Sequence, residues 1–152
     1  MESKRYFTPS EANRLIPRLE EIFGRALQLH SQLRSTQEQL IALGHPATPA
    51  LLENDATLDG PDQVRQLKAR FRGLYEAIGA EVGDVESLGG HVKDIEIGLV
   101  DFFSLLAGGG EVLLCWRMGE KSIGFWHDPQ SGFGGRQPID GQQFTEAGRR
   151  VH

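Results

Sequence analysis

The chain has 152 residues, 24% of them charged and 39% hydrophobic, which is enough for one folded domain with a buried core and is not the composition of a disordered segment. A net charge of −5 argues against a general nucleic-acid binder, and no run approaches about 18 apolar residues, so the expectation is a cytoplasmic protein with neither signal peptide nor membrane span. The single cysteine excludes an internal disulfide and any structural zinc site needing two or more thiolates from this chain.

Thr8-Pro9-Ser10-Glu11 opens the first helix, with Thr8 and Glu11 spaced for a capping box and Pro9 at the first helical position, where its missing donor costs nothing. Pro17 falls inside the same pattern, so the helix should be short, about Pro9 to Leu15, with a break near Ile16 and Pro17. From there Leu19, Ile22, Ala26, Leu29, Leu33, Thr36, Leu40 and Leu43 alternate in steps of three and four, the seam of a helix packed along another. Phe23, Leu27, His30 and Ile41 widen that seam, and Gly44 follows as the C-terminal cap.

His45 to Gly60, with two prolines and several turn formers, reads as a long connection of variable length. Pro61-Asp62 restarts a helix, and Val64, Leu67, Phe71, Leu74, Ile78, Val82 or Glu81, Val85 and Leu88 carry the same spacing to Gly89-Gly90. Gly73, Gly79 and Gly83 each cost about 1 kcal/mol against alanine inside a helix. Gly79 and Gly83 lie one turn apart, a spacing that permits close approach by another element.

The period then changes. Asp94 to Phe103 alternates, Ala107 to Gly110 turns, Glu111 to Arg117 alternates again, Met118 to Lys121 turns, and Ser122 to His127 makes a third strand before Asp128-Pro129. A glycine-rich segment follows, with Arg149-Arg150 in a frayed tail. The expected architecture is α+β in a single domain, 1–152. It consists of a long antiparallel helical hairpin (about 9–88) with a short N-terminal helix, packed on a C-terminal three-stranded antiparallel β-meander (about 91–140).

Several of these residues carry a resemblance. They are Tyr6-Phe7-Thr8 with Glu11-Ala12-Asn13, Lys93-Asp94, Gly98 to Phe102, Leu114-Cys115-Trp116, Gly119-Glu120, Trp126-His127, and Gly132-Phe133 with Gly135 to Pro138. Together they resemble a bacterial family catalogued as domain of unknown function 2203. The resemblance covers nearly the whole chain and is most specific in the last third. It implies the fold unit and a cytoplasmic bacterial setting, and it brings no activity, cofactor or site residue with it.

Strand parity organises the candidate site. A tight second turn would pair Trp116 with Ile123, Leu114 with Phe125 and Val112 with His127 on one face, and Leu113 with Trp126 on the other. Pairing Asp101 with Cys115 sets Val100 and Phe102 beside Trp116 and Leu114 on an apolar face. The other face then gathers Asp101, Cys115, Trp126 and Arg117, a mixed patch able to hold a ligand, with Arg136 folding back from the glycine-rich segment. Asp101, Cys115, Trp126 and Arg136 are therefore the ligand-binding candidates. Asp101, flanked by Leu-Val and Phe-Phe, is expected to be buried and paired with Arg136 or Arg117. Cys115 reads as a packed thiol and His127 as a turn anchor.

The metal candidates are Asp101, Glu120 and His127, with His91, Asp94 and Glu96 as further oxygen or nitrogen donors. Parity places Glu120 and His127 about 16 Å apart, too far to share one ion within a chain. Gly132 to Arg136 precedes no helix and fits neither a P-loop nor a dinucleotide fingerprint. Two functions compete. One is a non-enzymatic adaptor self-associating as a dimer through a hairpin of roughly 40 Å, coiled-coil fashion. The other is a small-molecule- or metal-binding protein, or an enzyme, using the polar patch. A clustered polar pocket favours the second, whereas Asp101 and Arg136 satisfying each other favours the first.

Overall fold

The computed structural model describes residues 4–54 and 57–145; Arg149-Arg150 lie outside them. The chain is α+β. Among the described residues three α-helices, α1 (Pro9–Asn13), α2 (Ile16–Ala42) and α3 (Asp62–Ser87), precede one antiparallel sheet. Its strands are β1 (His91–Asp94), β2 (Leu99–Leu105), β3 (Glu111–Arg117), β4 (Phe125–His127) and β5 (Gln137–Pro138), hydrogen-bonded in chain order. No described helix is long and apolar enough to cross a membrane.

By contacts the chain divides into two compact units, residues 1–23 with 83–152, and residues 24–82. In the first, the Thr8 capping box forms in both directions, Glu11 N to Thr8 Oγ1 at 3.1 Å and Thr8 N to Glu11 Oε1 at 2.8 Å. The helix stops at Asn13 and a new one begins at Ile16, so Pro17 sits in a first turn where its missing donor is harmless. Ile16, Leu19, Ile22 and Phe23 are buried, as is Val85. The apolar sheet face holds Val100, Phe102, Leu114 and Trp116, all fully buried, with Phe23 against Trp116 and Phe7 edge-on to Phe102. Burying side chains of this size contributes about 1.5–3 kcal/mol each before entropy is charged against it.

The sheet has five strands where the sequence reading expected three. Asp94 to Phe103 is two strands joined by a turn: Asp94 Oδ1 accepts from Glu96 N at 2.9 Å, and Gly98 turns back with φ +69°. A Cβ at Gly98 would lie 2.6 Å from the Met118 side chain, so this corner has no room for one. Neither added strand shows an apolar alternation. His91, Lys93 and Asp94 are all exposed in β1, and β5 is two exposed residues ending in a proline.

In the second unit the seam is buried at Ala26, Thr36 and Leu40. Leu29 and Leu33 are only half-buried, and Leu43 is 42% exposed. Arg25 meets Glu81 at 3.1 Å, so the helices lie side by side here. The connection is more structured than expected. Pro49–Leu52 forms a 3-10 turn that buries Leu51, Gln37 holds Ala47 through both amide atoms, and buried Lys68 donates to Thr57 O and Asp59 Oδ1, each at 2.9 Å. No described element approaches Gly73 or Gly79 closely, nor Gly83 in the first unit, since a Cβ at each would meet nothing within 4 Å.

Candidate functional site

The register of β2 against β3 is the expected one, with Asp101 opposite Cys115 and Phe102 opposite Leu114. The register of β3 against β4 differs from expectation by one residue: Leu113 pairs with His127, Leu114 with Trp126 and Cys115 with Phe125. Parity makes this decisive, because a one-residue slip moves every side chain of a strand to the opposite face. His127 thereby joins Asp101 and Cys115, while Trp126 leaves them for the face of Leu114. The cause lies before β4. Ser122 to Gly124 is not strand, and the Ile123 amide is taken by the Asn13 side chain at 2.6 Å, which holds the connection to α1 and delays pairing until Phe125.

His127 and Asp101 are each 3% exposed, with His127 Nε2 3.1 Å from Asp101 Oδ2. The other ring nitrogen, Nδ1, lies 2.8 Å from the Asp128 carbonyl. A carbonyl only accepts, so Nδ1 carries the proton, and in a neutral ring Nε2 presents a lone pair to the carboxylate. The second carboxylate oxygen, Asp101 Oδ1, is buried with no hydrogen-bond partner among the described residues. Cys115 completes the group: one ligand atom from each of the three residues lies within 4.8 Å of the other two. Burial pushes the Cys115 thiol up to about 12; Arg136 opposes the rise, while the charges of Asp101 and Glu120 and a side-chain hydrogen bond to Asp101 add to it.

Arg136 is not the partner of Asp101. Its Nη2 contacts Glu120 Oε2 at 2.9 Å and Cys115 O at 3.4 Å. Its guanidinium stacks between Phe125 and Phe133, 4.1 and 4.5 Å from the ring centroids. Glu120 also accepts from Arg117 N, while the Arg117 side chain is exposed, so neither Glu120 nor Arg117 enters the Asp101 cluster. The Trp126 indole nitrogen is buried without a hydrogen-bond partner among the described residues. His91 packs edge-on against Phe103, Asp94 caps its own turn and Glu96 is exposed; none of the three is in the cluster.

Asp101 and His127 line a cavity of about 230 Å³. Its other walls include Leu99, Leu113 and Phe133, together with Lys93 and Ser131. The glycine-rich segment shapes one wall. Asp128 Oδ1 accepts from Gln130 N and Ser131 N, each at 2.9 Å, and Phe133–Gly135 makes a 3-10 turn that sets Phe133 between the cavity and Arg136. A Cβ at Gly135 would strike Ser131 Cβ at 2.6 Å, so the glycine serves close packing and not phosphate approach.

The sequence model of the family described as "Uncharacterized conserved protein (DUF2203)" matches residues 5–139. The chain belongs to that family. No curated protein and no solved structure matches it. In this DUF2203 chain the matched span takes in both halves of the first unit, and with them Asp101, Cys115, His127 and the whole cavity wall. Lys93, Ser131 and Phe133 carried no signal as cavity residues in the sequence, because Lys93 sits at a register irregularity between Val92 and Asp94 and the others sit outside any strand.

Proposed function

We propose that this protein binds a small molecule in the cavity over the Asp101–His127 pair. The observation that carries the reading is that a carboxylate only 3% exposed lines a cavity and keeps one oxygen without a protein partner. Buried polar groups are almost always satisfied, and one that opens on a cavity is satisfied by what enters it. The cavity, about 230 Å³, is below the 300–1,000 Å³ of drug-sized sites. Its Lys93 and its apolar walls at Leu99, Leu113 and Phe133, with the acceptor Asp101 Oδ1, suit a compact molecule with one anionic group, one hydroxyl or amino donor and an apolar body. Binding fits better than nucleophilic catalysis. His127 Nδ1 is committed to the Asp128 carbonyl, and burial pushes the Cys115 thiol up instead of activating it.

The test is a panel of small hydroxy- and amino-carboxylates added to metal-free protein and followed by amide chemical shifts. The expected perturbations are at Leu113, His127 and Phe133, weakened by Lys93→Ala. A panel that perturbs none of them defeats the reading.

Self-association through a helical hairpin is a second reading, supported within residues 24–82 alone. Leu29, Leu33, Phe71 and Leu74 are half-buried there, and Tyr75 is 49% exposed. Light scattering decides it, and a monomer at high concentration removes it.

A further inference from the structure

We propose that Asp101 Oδ2, Cys115 Sγ and His127 Nε2 form a divalent transition-metal site, of zinc or cobalt type, with a fourth position open to the cavity. The inference deepens the small-molecule reading, on which only the occupant of that fourth position rests. Its first support is the polarity of the His127 ring. With Nδ1 donating to Asp128 O at 2.8 Å, Nε2 and Asp101 Oδ2 are two acceptors 3.1 Å apart, and only a cation or a proton between them removes the repulsion.

The spacing suits a cation. Metal–nitrogen and metal–oxygen bonds of about 2.0–2.1 Å meet at about 100° across the 3.1 Å separation, close to the tetrahedral angle. The Nδ1–H to carbonyl bond is the outer contact that ligating histidines usually make, fixing the tautomer and the ring. Cys115 brings its ligand atom within 4.8 Å of the others, and a tetrahedral ion would draw the widest pair in by about 1 Å. Charge balances as well. A thiolate and a carboxylate carry two negative charges, which a divalent ion cancels in a buried setting. A thiolate ligand selects zinc or cobalt over magnesium or calcium.

The full chain, dialysed against chelator, is titrated with Co²⁺. One equivalent should bind with a near-ultraviolet thiolate-to-cobalt band and intense visible bands of tetrahedral type, and Zn²⁺ should displace it. The chain has one cysteine, so the band reports Cys115 alone. Cys115→Ser should lose it, His127→Ala should weaken Co²⁺ by more than the 10–100-fold typical of outer-sphere changes, and His91→Ala should change nothing. A missing band in the unaltered protein, a band that survives Cys115→Ser, or weak octahedral absorption overturns the proposal. So does a His127 ring shown by nitrogen chemical shifts to be doubly protonated with no Co²⁺ taken up, the case in which a proton does the bridging. Carboxylate binding without Co²⁺ binding leaves the small-molecule reading standing and the metal site refuted. Co²⁺ binding with no carboxylate response does the reverse.

Discussion

His127 Nε2 lies 3.1 Å from Asp101 Oδ2, with both side chains 4% exposed, and the ring's other nitrogen is committed to a backbone carbonyl. With the ring neutral and no cation bound, a carboxylate in that place faces a lone pair, whereas an amide in the same place would face it with a donor. Asp101→Asn should therefore keep the stability of the metal-free protein within about 1 kcal/mol, or raise it. Asp101→Ala, which leaves a void and a stranded ring nitrogen, should cost about 1–3 kcal/mol. Urea midpoints in chelator check both. An Asn variant as damaged as the Ala variant would mean that Nε2 is a donor.

The Asn13 side chain should control the register of β4. Its Oδ1 accepts from the amide of Ile123, a residue 2% exposed, at 2.6 Å. Asn13→Ala strands that amide and should cost about 1–3 kcal/mol. It should also broaden the amide signals of Phe125 to His127. Sharp, unshifted signals there would show that the β4 register is set elsewhere.

Helix α3 carries glycines with nothing against them. A Cβ at Gly79 meets no atom within 4 Å, so Gly79→Ala should stabilise the monomer by about 0.5–1 kcal/mol. Thermal unfolding reads the sign directly. A destabilising alanine would signal that another copy of the chain packs on this face.

Acid stability should depend on Tyr6. The Tyr6 hydroxyl, 2.7 Å from Glu111 Oε1, is the first cause holding the Glu111 carboxyl below its usual range, and Lys4 reinforces it. A carboxyl lowered in the folded state adds stability that is present above its unfolded value and lost as pH falls through the folded one. Tyr6→Phe should flatten that loss, so the gap between variant and parent narrows from pH 6 to pH 3. Urea midpoints at both values measure it, and a gap constant across the range counts against the assignment.

Much of this was legible in the sequence for reasons that can be named. The Asp101–Cys115 pairing followed from one apolar parity, because any other register buries the wrong residues of two strands whose apolar face is complete. The His127 register was not legible. A tight turn at Met118 to Lys121 and a longer irregular one differ by a single residue, and what separates them is a side-chain bond from Asn13, 110 positions away. The seam of α2 was legible in direction but not in depth, since spacing says which way Leu29 and Leu33 face and not how much covers them. Half-burial lowers the cost of Leu29→Ala from the full 2–5 kcal/mol of a core leucine to about half of it.

The division of the chain into residues 24–82 and the two stretches around them bears on the order of assembly. The helical piece is continuous in sequence and can collapse through neighbours alone. The sheet piece is discontinuous: Phe7 N reaches Phe103 O at 2.8 Å, and Ile123 must find Asn13. Those contacts close a loop containing the whole helical piece, at an entropic cost that grows slowly with loop length and falls once the intervening segment has compacted. Refolding should then show early protection of amides in 24–82. The cluster of Asp101, Cys115 and His127 should be among the last features to form, because its geometry depends on β4 and β4 waits for the far end of that loop.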